Sequence, residues 1–526
     1  MTAAVGDPSD SAIERTDRDV AVGTVPVWLD ALARSGGDHA CVASEEDSLS
    51  YAQLDRDSRA LARGLLARGV GKGTRVGILF GNGTQWVLWW AAISRIGAIC
   101  TPLSTFLTPP ELARVIRHGD LHLLIAQSRF LQSDFVDLLT VAFPALSSHQ
   151  DADLALLDAP FLRGIVITDG PARPWARDPA WLTSAGEGDV GEQLLDQAQR
   201  EVHPDEEALC IFTSGQSADP KGVFFSHTAI VTKAAYLRDM FGFTATSVTE
   251  VALPFFWVGG LVMALFPTMA AGGTTRCTQR STWGAGAVIG NPAANPAPST
   301  APPTGLRMMP ALGMTETFGM YSWGREWAAE PHPLAAPLDE LQPGFELRLA
   351  DENGREVAEG TPGEILLRGP TMATRLHKVS RADAFDDDGF YRTGDLAVRH
   401  GARISFLGRI QDMIKTSGAN VSPAEVEREL ANIDGVDVAH VVGVPDRKRG
   451  QLVAAAVVRS AGSSVTADII TDALRQRLSV YKIPKVIVFL SSPDEVPMTA
   501  SMKVRKRRLA ELVDARRSSA EYVAPQ

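Results

Sequence analysis

The chain has 526 residues, 45% hydrophobic and 21% charged, with mean hydropathy near zero. That length suits more than one domain with a sizeable buried core. With 51 Lys and Arg against 62 Asp and Glu the net charge is −11, which argues against a general nucleic-acid binder and against a polybasic membrane dock.

Residues 1–20 are polar and acidic, lack the apolar run of a signal peptide, and read as a disordered N-terminal segment. Apolar residues recur at helical spacing over 50–70 (Leu54, Ala60, Leu61, Leu65, Leu66) and predict a helix. A short buried strand is predicted over 74–80 (TRVGILF), a helix over 86–98 and another strand over 121–126. This alternation predicts an α/β fold with mostly parallel sheets. The uncharged stretch 251–275 is long enough to span a bilayer. Pro254, Gly259, Gly260, Pro267, Gly272 and Gly273 would break such a helix, so it reads as a buried strand, loop and helix, with no integral membrane association. Cys41, Cys100, Cys210 and Cys277 lie far apart without a CxxC pair, which indicates neither a zinc site nor a disulfide framework; a reducing cytoplasm fits.

Residues 280–310 are rich in Ala, Pro, Gly, Ser and Thr and read as an irregular connection. Strands are predicted over 344–349 and 363–368, with a turn at Asp351-Glu352-Asn353-Gly354 between them. From about Arg409 the pattern resets into a compact α+β unit. It has helix signals over 423–433 and 466–478 and strands over 438–444 and 453–458.

The strongest local signal is CIFTSGQSADPKGV over 210–223, where an apolar strand runs into hydroxyls, glycine and one lysine. Donors, close backbone approach and a positive charge suit a polyphosphate. The spacing is not that of a P-loop kinase, because no Ser or Thr follows Lys221. A surface Ser/Gly turn has the same composition.

TSGQSADPKG resembles the phosphate loop of the acyl-CoA synthetase, adenylation-domain and luciferase (AMP-binding) superfamily. Four further segments resemble its motifs in the correct order: LGMTETFG (312–319), YRTGDL (391–396), GRIQDMIKTSGANVSPAEVE (408–427) and PMTASMK (497–503). The resemblance is closest to the acyl-CoA, or fatty-acid, ligases. It implies a large AMP-binding domain over 21–409, with stacked mostly parallel sheets and a shortened region at 280–310. A small mobile α+β lid domain would follow over 410–526.

The resemblance also implies ATP, Mg2+ and coenzyme A, a small-molecule carboxylic acid, and two half-reactions through an acyl-adenylate. Thr213, Ser214, Gly215, Gln216, Ser217 and Lys221 would wrap the phosphates, Thr315 would touch the α-phosphate, and Glu316 would hold magnesium, for which one carboxylate suffices. Asp395 would accept from both ribose hydroxyls, since a carboxylate has two acceptor oxygens and no donor. Arg409 would brace the nucleotide, and Lys503 would be the adenylation lysine. Gln411 matches the hinge position, where Asp or Lys is usual. Lys415 and Gly418 would face the thiol. LPFFWVGG (253–260) resembles the acid-pocket motif, with Trp257 as an apolar wall and Gly259 and Gly260 leaving volume, which points to an apolar fatty or aromatic acid.

Several residues depart from the family pattern. Gln216 and Ala218 alter the phosphate loop, Leu312 replaces an adenine-stacking aromatic, and Met502 stands where glycine usually precedes the lysine. The interval from Trp257 to Glu316 is short by a few tens of residues. These departures keep two alternatives open: an acyl-AMP ligase that loads a separate carrier protein, and a non-catalytic relative that binds nucleotide or acyl ligand.

Overall fold

The computed structural model describes residues 14–15, 21–188, 190–213, 220–251, 253–278, 311–323, 340–401, 403–416, 419–478, 480–499, 504–517 and 522–523. The low-complexity stretch 280–310 lies outside them, as do most of residues 1–20.

Helix Tyr51–Ala67 begins where Ser50 and Gln53 form a reciprocal capping box, which satisfies two otherwise unpaired N–H groups. Its apolar stripe, including Leu54, Leu61 and Leu65, is buried. Strands Arg75–Leu79, Ile99–Pro102, Leu123–Ala126 and Gly164–Ile167 are short and almost wholly buried, as continuous apolar runs inside a parallel sheet require.

These strands build a seven-stranded sheet in the order Gly164–Ile167, Leu123–Ala126, Arg75–Leu79, Ile99–Pro102, Glu207–Thr213, Lys221–Ser226, Arg375–Leu376. The first five run parallel and the last two pair antiparallel. A second sheet aligns Val248–Val251, Thr274–Cys277 and Ala40–Ala43 in parallel, with Ser48–Ser50 antiparallel at the edge. The stretch 251–275 thus closes one strand, passes through a helical segment over 258–270 and enters the next. No helix among the described residues is long and apolar enough to cross a membrane.

Helix Thr84–Arg95 packs Trp86, Trp89 and Trp90 into the main core, where Trp90 lies 4.9 Å from the Phe266 ring. At its C-terminus Arg95 is 0% exposed and contacts Ser58 Oγ at 2.8 Å, Asp30 at 2.8 Å, Gln199 at 2.6 Å and Asp55. A guanidinium out of water is tolerated only with its donors filled. Arg95→Ala should therefore cost about 3 kcal/mol of stability, read by urea unfolding. A loss under about 0.5 kcal/mol, as at an ordinary surface site, would contradict this.

Strands Glu346–Ala350, Gly363–Arg368, Tyr391–His400 and Arg403–Arg409 form an antiparallel meander. A small three-stranded sheet, Ala311–Met314, Gly319–Trp323 and Glu340–Leu341, packs Tyr321 onto it. Beyond Arg409 the chain builds a separate sheet around Val436–Asp446 and Gly450–Arg459, flanked by helices Pro423–Ala431, Ala467–Arg475 and Lys506–Ala515. Its cores, with Val426, Leu430, Val457, Leu474, Leu509 and Val513, are distinct from those of the larger part.

Candidate active site

Thr213 ends one strand of the central sheet and Lys221 begins the next, and the two are direct cross-strand partners. The motif therefore begins and ends on two antiparallel neighbours, with its lysine on the returning strand and not at a helix start. Ser214, Gly215, Gln216 and Ser217 lie outside the described residues, as do Gly418 and Lys503.

Glu316 sits in the tight turn Thr315–Thr317 between two strands. Thr317 locks that turn: Met314 N–H donates to its Oγ1 at 3.2 Å, and the hydroxyl donates to the Gly319 carbonyl at 2.6 Å. Ala373 N–H donates to the Glu316 carbonyl at 2.7 Å, which ties the turn to the wall beside it. The Glu316 residue is 7% exposed and its carboxylate pairs with Lys221 Nζ. Lys221 also donates to the Tyr391 hydroxyl at 2.9 Å, and that hydroxyl donates to Glu316 Oε1 at 3.2 Å. Burial and the Glu316 charge push the Tyr391 phenol well up, so it stays neutral.

Asp395 lies within the same strand as Tyr391, is 6% exposed, and donates its N–H to Thr393 Oγ1 at 3.0 Å. Arg409 is its cross-strand partner, with Nε 2.8 Å from Asp395 Oδ1. The contact is ionic, for the N–H is not aligned as a hydrogen bond on that oxygen. Burial raises the Asp395 carboxyl to about 6, opposed by Arg409 and reinforced by the charge of Glu316. The residues expected at phosphate, metal and ribose are thus within electrostatic reach of one another. Thr315 is half-buried beside Glu316, and Leu312 packs against the meander core.

The acid-pocket motif is held from behind by Asn82, whose amide donates to the Leu253 carbonyl and accepts from Phe255 N–H, both at 2.8 Å. Trp257 is half-buried, with its ring 5.3 Å from Phe256 and 5.9 Å from the exposed Phe106. Gly260 corrects an expectation. A Cβ there would lie 2.2 Å from the Pro254 carbonyl oxygen, so its missing side chain serves a close backbone turn and leaves no volume. At Gly259 a Cβ would only touch Leu253 at 3.4 Å.

Gln411 is exposed in the turn Ile410–Asp412, and Lys415 is exposed on Ile414–Thr416. Gly408, just before Arg409, takes φ +136°, a conformation that side chains avoid. Tyr391 was given no role by the motif reading. Its place at the head of YRTGDL was the available signal, but only the fold shows its hydroxyl meeting the lysine and the glutamate. Glu316 is the carboxylate that meets Lys221 and Tyr391, and no three His, Cys, Asp or Glu side chains gather as a metal site among the described residues. That donor set fits Mg2+ held jointly with phosphate oxygens.

The sequence profile of the AMP-binding enzyme family matches residues 29–286, and that of the AMP-binding enzyme C-terminal domain matches 425–503. The chain is 28% identical to indoleacetate–CoA ligase of Aromatoleum aromaticum, over 92% of this chain and 97% of that protein. It is 28% identical to feruloyl-CoA synthase of an Amycolatopsis species, over 91% and 97%. In fold it resembles an anthranilate CoA ligase solved with anthranoyl-AMP, at TM-score 0.73 and 20% identity over 94% of this chain and 98% of that one. ATP-bound MatB from Rhodopseudomonas palustris gives TM-score 0.69 at 22% identity over 93% and 99%. With both profiles matched in order along it, the chain belongs to the AMP-binding, adenylate-forming enzyme family.

Proposed function

We propose that this protein is an ATP-dependent carboxylic acid:CoA ligase for an apolar acid, aromatic or fatty. The observation that carries the reading is the cluster of Lys221, Glu316 and Tyr391 beside the Asp395–Arg409 pair. It supports the reading because a lysine suited to phosphate, a carboxylate suited to a metal and a carboxylate suited to a diol lie within electrostatic reach of one another.

In the first half-reaction a carboxylate oxygen of the acid attacks the α-phosphorus of ATP, and the bond to pyrophosphate breaks. Thr213, the Ser214–Ser217 loop and Lys221 hold the β- and γ-phosphates, Thr315 meets the α-phosphate, and Lys503 bridges acid and phosphate as charge builds between them. Mg2+ at Glu316 would offset negative charge on the phosphates. In the second, the thiol sulfur of coenzyme A attacks the acyl carbonyl, AMP leaves, and the thiol proton is lost. Lys415 and Gly418 serve that side, and Gln411 lies at the hinge of a lid that begins near residue 410. The apolar walls at Trp257 and Phe106 favour a ring or chain over a charged acid; names of relatives such as indoleacetate–CoA ligase and feruloyl-CoA synthase agree.

The raised Asp395 carboxyl sets a pH dependence. Above about 6 it is ionised and accepts from both ribose hydroxyls. Below that, a proton occupies one oxygen and the Arg409 contact weakens. KM for ATP should therefore rise as pH falls through about 6, approaching tenfold per unit, and Asp395→Asn should flatten the profile. A wild-type KM constant between pH 5 and 8 would contradict this.

The test of the proposal is mass-spectrometric detection of acyl-CoA from a panel of aryl, fatty and amino acids. Thioesters of aryl or fatty acids are expected. Acyl-AMP with no acyl-CoA from any acid would point to a carrier-protein thiol, and no product from any acid would refute the ligase reading.

A further inference from the structure

Tyr391 is 4% exposed, and its ring is fixed by Phe385 at 5.4 Å and by a backbone bridge between the same two residues. The Lys221 ammonium has no acceptor, so at 2.9 Å it must donate to the phenol oxygen. The single hydroxyl hydrogen is then left for Glu316 Oε1 at 3.2 Å. Lys221 pairs with the same Oε1. Both contacts therefore fall on one carboxylate oxygen, and among the described residues no donor bonds Oε2.

A buried carboxylate is costly without a positive partner. Lys221 is that partner here. When a polyphosphate draws Lys221 away, Glu316 keeps only a neutral hydroxyl unless another cation arrives with the nucleotide. We propose that Tyr391 is the positioning residue for this exchange: its hydroxyl pins Oε1, so that Oε2 is presented to a divalent cation carried on the phosphates. The proposal rests on the adenylate-forming reading above and adds the residue that couples nucleotide and cation. ATP and the cation should then bind synergistically, and the synergy should pass through one phenolic hydroxyl.

Calorimetric titration of ATP into the full chain, with MgCl2 or with EDTA, tests this. Magnesium should raise wild-type affinity. Tyr391→Phe should shrink that gain about tenfold, while its affinity in EDTA stays within about twofold of wild type. An unchanged gain, or an equal loss with and without magnesium, would overturn the assignment, because a merely structural tyrosine gives one of those results. Glu316→Gln supplies an independent check, since it leaves no carboxylate to position. The gain should vanish there, and a gain that persists also overturns the proposal. No binding of ATP by the wild type in either condition overturns both this assignment and the ligase reading. Synergy as described, without acyl-CoA from any acid, removes the ligase reading alone and supports the role of Tyr391.

Discussion

Lys221→Ala is expected to lower kcat/KM for ATP by about 10²–10³-fold, the range found when one preorganised electrostatic group is removed. Two losses combine. The polyphosphate loses its fixed cation, and the Glu316 carboxylate loses the ammonium that neutralises it. Because Glu316 is 7% exposed, water does not readily replace that partner. The variant should also lose about 2 kcal/mol of stability; Lys221 is itself partly exposed, which holds the figure below that of a fully buried pair. The two losses separate in the double variant Lys221→Ala/Glu316→Gln. Stability should largely return, because no unpaired charge remains, while pyrophosphate release stays slow. Recovery of pyrophosphate release as well would contradict the roles given to both Lys221 and Glu316.

Lys503→Ala is expected to lower acyl-adenylate formation by about 10²–10³-fold, while leaving thioester formation from supplied acyl-adenylate close to wild type. Charge builds between the acid and the α-phosphate only in the first half-reaction, so a lysine placed there stabilises only that transition state. The same residue lies in a basic run with Arg505, Lys506, Arg507 and Arg508. Lys506 is already committed, bonding Glu427 and, at 2.9 Å, the Val441 carbonyl. Arg508 reaches Glu511 at 3.0 Å. Equal loss in both half-reactions would assign Lys503 to the fold of the C-terminal unit and not to chemistry.

Local order was readable where periodicity and chain chemistry coincide. The capped helix at Tyr51–Ala67, the buried strand at Arg75–Leu79 and the paired strands Val436–Asp446 and Gly450–Arg459 all follow from burial patterns. The sheet is less purely parallel than alternation alone predicts. Lys221–Ser226 and Arg375–Leu376 pair antiparallel, and their order depends on contacts between segments about 150 residues apart. The site was legible as motifs and illegible as a network. Nothing in YRTGDL states that the tyrosine hydroxyl will meet a lysine 170 residues earlier. Gly260 shows the opposite error: a small residue beside an acid pocket suggested space, whereas the Pro254 carbonyl occupies it. Glycine identity alone does not separate those two uses, because both require the absence of a Cβ.

The most direct test is acid-dependent ATP–pyrophosphate exchange in the absence of coenzyme A, which isolates the first half-reaction. The account predicts exchange that requires both Mg2+ and an aryl or fatty acid and collapses in Glu316→Gln. Exchange absent with every acid, in a protein that is folded and binds ATP, would contradict it.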